Sequence, residues 1–402
     1  MEYKIKDLRQ YINTICSEEG LFFAGFIIYL GRGMWETTML PFNGGISKLC
    51  LLLSICLIGL KILFFDTYSV RAYIGLIIGF GCTILIYLNS GYLNPLFWIL
   101  ILIGCKNISF EKILKIYLVI TGAIMTLAFC AALLGVIENL IYEINGRGTR
   151  IAFGSVYVTD FASHIFYMIL VYCYLKAEQL KTYHFAGIII IAGVIYYFCK
   201  TRLDCASMLL IAIIFGFNQW IQKLLYDGRG MKKKWESFWK IFGIVSMPFW
   251  ALVSFAATVF YQEENKVLAL IDKIISGRLT LGKNGLDMYS IRLWGQPVDM
   301  VGAGGTTQWP ADYFFIDNSY MHIFLRFGLV FTIALLGVYV ICCCKRKNDV
   351  YFLFAIAIIA LNCVIAHHIF DVSYNPFAGA LLASFAKGGK SLGIKSAGVN
   401  TV

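Results

Sequence analysis

The chain has 402 residues, of which 59% are hydrophobic and 14% charged, and its formal net charge is +11. Soluble domains carry about 25% charged residues, so this composition excludes an ordinary soluble globular fold and indicates a polytopic membrane protein. The positive sign follows from basic cytoplasmic loops, and no nucleic-acid partner is expected.

The first nineteen residues, MEYKIKDLRQYINTICSEE, are polar and basic. They lack the short apolar run and small-residue site of a cleavable signal peptide, so none is expected. Apolar segments long enough to approach the roughly 20 residues of a spanning helix then recur at about 20–38, 46–64, 72–89, 93–105, 113–137, 156–175, 183–199, 204–222, 241–261, 318–341, 350–370 and 375–387. The first carries Arg32 and Glu36, and the fourth and last are short. The fold class is therefore an all-α polytopic membrane protein with about 10–12 transmembrane helices and one long extracytoplasmic loop. This divides the chain into helices 1–9 (1–261), the loop (262–317), and helices 10–12 with a cytoplasmic tail (318–402). There is no internal repeat of the kind on which inverted-repeat transporters are built.

Lys and Arg set the orientation. Clusters at Lys4–Arg9, Lys106–Lys115, Arg229–Lys240, Lys345–Lys347 and Lys387–Lys395 share one side. The positive-inside rule puts that side and both termini in the cytoplasm, with the loop outside. The thirteen cysteines sit in or beside apolar spans, where a free thiol behaves as a small hydrophobe. They have no spacing of a structural zinc site, and neither a metal nor another cofactor is expected.

Ionisable groups within spans are costly and mark functional sites. Here they gather toward the outer face: Arg32 and Glu36; Asp160 and His164; Lys200, Arg202 and Asp204; Arg326; and His367, His368 and Asp371. Asp160/His164 and His367/Asp371 are spaced i,i+4, which on a helix gives a shared face. HHxxD can be read as part of a metal site, as interfacial histidines, or as a hydrogen-bonded acid/base pair. Arg150, Arg202, Arg278 and Arg326 make a stronger set. Guanidinium forks bind phosphate oxygens in bidentate fashion and keep their charge when desolvated, so the four are expected to converge on one outer cavity. Trp294, Trp309, Tyr313 and Tyr320 can offer flat faces to sugar rings. In the loop, apolar spacing at Val267, Leu268, Leu270, Ile271, Ile274 and Ile275 predicts two short helices, about 265–275 and 279–290, separated by Ser276-Gly277-Arg278.

Several stretches resemble a family. SGRL at Ser276–Leu279, VGAGG at Val301–Gly305 and DNSYMHIFLRFG at Asp317–Gly328 are similar to the long extracytoplasmic loop and following helix of the O-antigen/capsular polysaccharide polymerases, the Wzy-like proteins. HHIFDVSYNPF at His367–Phe377 and KTRLD at Lys200–Asp204 are similar to further elements of capsular members. The resemblance covers the C-terminal half. Some members carry Arg-x10-Gly in two outer loops, a pattern that Arg150, Arg278 and Arg292 do not complete. The related O-antigen ligases usually have His where this chain has Asp317.

The resemblance implies a bacterial cytoplasmic membrane enzyme that joins polyprenyl-diphosphate-linked oligosaccharide repeat units on the outer face. The lipid diphosphate is the leaving group. Membrane lipid, a chain-length regulator and a flippase are the implied partners. Ligase-type transfer and a lipid-linked oligosaccharide flippase are the alternatives. Asp317, His367 and His368 are the candidate bases. Arg150, Arg202, Arg278, Arg326, Asp160, His164, Asn318, Tyr320, Asp371 and Asn375 are the candidate substrate contacts. Asp317 stands at a loop-to-helix junction and has an equally good alternative role as the helix cap.

Overall fold

The computed structural model describes residues 17–144, 148–224 and 229–385. Lys4, Lys6, Arg9, Lys387, Lys390 and Lys395, which the positive-inside argument uses, lie outside the described residues. Helix α1 (Glu18–Glu36) starts at Ser17, whose hydroxyl accepts the Gly20 N–H. Then follow α2 (Gly44–Phe64), α3 (Val70–Ser90), α4 (Asn94–Gly104) and α5 (Phe110–Leu133). A two-stranded antiparallel hairpin, β1 (Ile141–Ile144) and β2 (Gly148–Ile151), precedes α6 (Val158–Lys176), α7 (Thr182–Cys199), α8 (Arg202–Leu224) and α9 (Arg229–Val259). The loop contributes α10 (Lys266–Ile274) and α11 (Arg278–Met288), and the chain continues through α12 (Ser319–Lys345) and α13 (Val350–Asn362).

Among the described residues eight of these helices are long and apolar enough to cross a membrane: α2, α3, α5 to α9 and α12. The chain is thus an all-α multi-pass membrane protein in which α4 and α13 are shorter apolar helices. One end of the bundle carries Lys61, Lys106, Lys112 and Arg346 and is called the basic end; the other carries the 262–317 segment and is called the loop end. Long aliphatic side chains such as Leu49, Ile77, Leu88, Ile190 and Leu252 stay exposed on the helix flanks, as lipid-facing residues do.

The twelfth apolar segment is not a helix. Around 375–387 only Pro376–Gly379 forms a single 3-10 turn, and the described chain from Cys363 to Phe385 is otherwise irregular. It nevertheless returns to the basic end. There Ser384 pairs with the start of α5 through Phe110 N–H to Ser384 O at 2.8 Å and Ser384 N–H to Ile108 O at 2.7 Å. Irregular backbone at membrane depth is tolerated only where it is buried in protein and its polar groups are satisfied. Side chains do that here. Ser319 Oγ donates to Ala366 O (2.5 Å), Tyr339 OH to Ile369 O (2.5 Å), Tyr117 OH to Tyr374 O (2.7 Å) and Trp98 Nε1 to Ala378 O (3.2 Å). Asn375 Nδ2 adds a second donor to Ile369 O at 2.8 Å. Pro376 cannot donate to a helix ladder, which favours the unwound state.

Helix α12 is broken at Gly328, where φ is 86° and ψ 175°. The loop fills the break. Gln296 N–H bonds Arg326 O at 3.1 Å, while Leu329 and Val330 N–H bond Arg292 O and Leu293 O at 3.1 and 3.2 Å. A Cβ at Gly328 would stand 2.4 Å from Gly295 N and Leu293 O. Its backbone region is essentially glycine-only and costs about 1–3 kcal/mol for other residues. Gly328→Ala is therefore expected to lower the thermal midpoint of the detergent-solubilised protein and its yield in membranes. Gly337→Ala in the same helix, where the added methyl meets nothing within 4 Å, leaves both unchanged or slightly raised.

Candidate functional site

Four helices begin around one cavity at the loop end. The first turns of α6 (Thr159, Asp160), α8 (Arg202, Leu203, Asp204) and α11 (Arg278, Leu281) line it, as does Asp317 immediately before α12. Its volume is about 530 Å³. Each helix N-terminus presents unpaired N–H groups and about half a positive charge, an arrangement that favours anions. Arg150, Lys200, Arg202 and Arg278 add four cations against the carboxylates of Asp160, Asp204 and Asp317.

The arginines are held by backbone and by one serine. Arg150 Nε donates to Cys199 O at 3.0 Å, which fixes β2 to the end of α7. Arg202 Nη2 donates to Ser276 Oγ at 3.3 Å, and Arg278 Nη1 to Ser276 O at 3.0 Å. Ser276 and Gly277 both have positive φ, 59° and 84°, which turns the chain sharply between α10 and α11. Asp272, on the inner face of α10, secures that turn. Its carboxylate accepts the Leu279 and Thr280 N–H groups at 2.7 and 3.2 Å and the Thr280 hydroxyl at 2.7 Å. It does the work of an N-cap for α11, whose own N-cap position is Gly277. Val267, Leu270, Ile271 and Ile274 occupy the opposite, exposed face of α10.

Asp317 pairs with Arg278 at 3.1 Å and lies 4.0 Å from His367 Nδ1. It does not cap α12. Asn318 does, through Tyr320 and Met321 N–H at 3.0 and 3.2 Å. That leaves the Asp317 carboxylate to Arg278. His367 also lines the cavity, with its ring 5.0 Å from that of Phe315. Tyr313, in the loop, faces Trp309 with ring centroids 4.6 Å apart, and both line the cavity. Burial raises the Tyr313 phenol above its usual range, so it is a neutral donor at neutral pH. Gly302, Ala303 and Gly304 of the VGAGG segment complete the wall, held by Tyr142 OH to Ala303 O at 3.3 Å and Gly305 N–H to Val156 O at 2.7 Å.

Of the residues picked out from the sequence, Arg150, Lys200, Arg202, Arg278, Asp160, Asp204, Asp317, His367, Trp309 and Tyr313 line this cavity. His368 lines a smaller compartment beside it with Asp204, Arg278 and Asp317. The others are elsewhere. Arg326 does not line the cavity: it lies over the Tyr92 ring at 3.7 Å and donates to His322 Nε2 at 3.0 Å. His164 is fully buried one turn below Asp160. Tyr320 is in the core with its hydroxyl on Ala360 O at 2.8 Å, and Asn318 and Asn375 are buried in backbone contacts. Trp294 packs against the core. Asp371 accepts Ser373 N–H at 2.9 Å in a turn, so the i,i+4 argument for His367 and Asp371 fails because that segment is not helical.

Two residues were missed. His322 Nδ1 bonds Ile316 O at 3.0 Å while Nε2 faces Arg326. A carbonyl only accepts and a guanidinium only donates, so this imidazole is neutral with its proton on Nδ1. Its i,i+4 spacing from Arg326 was the available signal. Tyr374 is the other, and irregular backbone leaves no spacing by which to find it. Comparison with family models, with curated proteins and with solved structures gave no match.

Asp272→Ala is expected to free the start of α11, with a loss of about 1–2 kcal/mol typical of a cap. Hydrogen exchange should show reduced amide protection across 278–288 while α5 and α13 are unchanged.

Proposed function

We propose that the protein polymerises polyprenyl-diphosphate-linked oligosaccharide repeat units, with the cavity at the outer face of a bacterial cytoplasmic membrane and both termini inside. The observation that carries this reading is the joining of Arg202 and Arg278 through Ser276 in one cavity with Arg150 and Lys200, beside the Trp309–Tyr313 pair. Clustered guanidinium groups at helix N-termini suit a diphosphate, and paired aromatic faces suit sugar rings. Reaction by displacement at the anomeric carbon requires cations on the departing diphosphate and a base for the acceptor hydroxyl. Asp160, Asp317 and His367 all reach the cavity.

A flippase reading is weaker. A translocation path needs polar lining on both sides of the midplane, whereas the interior beyond the cavity is filled by Tyr117, Tyr167, Phe166 and Phe352, each fully buried. The same cavity on a ligase would serve a different acceptor, and Asp317, where ligases usually carry His, favours the polymerase.

The test is polymer length on gels in a strain lacking its own copy, with protein level measured in parallel. Arg278→Lys is expected to leave mainly single repeat units on lipid, because a point charge does not replace a bidentate fork. Arg326→Lys, altered outside the cavity, should retain more polymer than Arg278→Lys. Long polymer of normal length from an Arg202→Lys/Arg278→Lys double variant would overturn the reading. The orientation has its own check: a cysteine introduced at exposed Glu263 should react with a membrane-impermeant maleimide added to intact cells.

A further inference from the structure

We infer that Asp160 is the group that takes the proton from the acceptor hydroxyl. The inference rests on the polymerase reading above and assigns the base within it.

Three carboxylates border the cavity, and their surroundings differ. Asp317 is engaged by Arg278 at 3.1 Å, so protonating it would give up an ion pair that also orients the guanidinium. Asp204 is buried, and its Oδ1 accepts the Ser163 hydroxyl at 3.1 Å. Asp160 is partly exposed at the cavity wall. Its Oδ1 accepts the Tyr374 hydroxyl at 2.8 Å. Among the described residues it has no cation at ion-pair distance, and its second oxygen has no protein donor. It is thus the cavity carboxylate that is both open to substrate, unlike buried Asp204, and free of an ion pair, unlike Asp317.

Asp160 is also held in place from behind. The Tyr374 ring is clamped between His164 and His368, with centroids 4.0 and 3.6 Å away and planes within 8° and 12° of parallel. Tyr117 anchors the Tyr374 carbonyl, and Thr37 Oγ1 holds His164 Nε2 at 2.9 Å. A base that does not have to reorganise is what general-base catalysis requires. Tyr374 touches no reacting atom in this scheme and is a positioning residue.

The step balances within the substrates. The acceptor oxygen bonds to the anomeric carbon of the growing chain as the bond from that carbon to the diphosphate oxygen breaks. The electron pair leaves with the diphosphate, toward Arg202 and Arg278. The hydroxyl proton passes to the Asp160 carboxylate and from there to water.

The test uses purified full-length protein in liposomes with a synthetic polyprenyl-diphosphate oligosaccharide, reading both extension rate and binding of the lipid donor. Asp160→Asn still accepts the Tyr374 hydrogen bond but takes no proton. It should lower extension about a hundredfold or more with donor binding and thermal midpoint unchanged. Tyr374→Phe should lower extension less, again without loss of binding, because the carboxylate remains but is no longer aimed. Extension by Asp160→Asn within about threefold of wild type would overturn the assignment and leave the polymerase reading standing. Loss of donor binding in Asp160→Asn would also overturn it, by making Asp160 a binding residue. If wild-type protein binds the donor and never extends it, the polymerase reading falls and the assignment with it.

Discussion

Backbone polar groups buried away from water must find partners, and in this protein that requirement governs both places where regular helix gives way. Between Cys363 and Phe385 the chain crosses back through the bundle without a helical ladder, so its carbonyls take hydroxyl, indole and amide donors from α4, α5 and α12 and from Asn375. At Gly328 the opened turn of α12 bonds the loop at Arg292, Leu293 and Gln296. Each such partner ties one element to another. Losing a donor there would strand a buried carbonyl, at a cost of about 1–3 kcal/mol. The irregular segments are therefore among the most strongly specified parts of the fold, and they carry His367 to the cavity, His368 to the compartment beside it and Tyr374 to Asp160.

The cavity inherits its electrostatics from the same arrangement. With α6, α8, α11 and α12 all starting around it, backbone dipoles and four cationic side chains point at one volume. Such a concentration of positive charge needs local anions when no ligand is bound. Asp317 supplies one to Arg278 directly. The Arg326–His322 pair sits one layer away, where His322 stacks on His367 with centroids 5.5 Å apart. Arg326 also lies on Tyr92, whose hydroxyl donates to Val298 O and accepts Val298 N–H. An intramembrane arginine read from sequence as a phosphate ligand thus joins the α3–α4 connection, α12 and the loop.

Much of the architecture was legible in the residues because hydrophobicity and charge are local properties. Runs of apolar residues mark the spans, the described Lys61, Lys106, Lys112 and Arg346 share one end, and the spacing from Val267 to Ile275 places α10. The SGR turn stands between α10 and α11 because serine and glycine there take the positive φ that a sharp turn needs. The gathering of ionisable groups toward the loop end was equally readable, since a charge in a span is conspicuous wherever the chain then folds.

What the sequence by itself determined is an all-α membrane chain with its polar chemistry at one end; only the tertiary structure decided which polar groups meet. Asp317 and Asn318 are adjacent, yet one reaches the cavity and the other caps α12, a difference of a single backbone step. Asp160 and Tyr374 are far apart in the chain and are hydrogen-bonded. His367 and Asp371 have helical spacing on a segment that is not helical, because side chains elsewhere satisfy its carbonyls better than its own ladder, interrupted by Pro376, would. Periodicity describes what a residue's neighbours in sequence can do, whereas these contacts depend on donors supplied by distant helices.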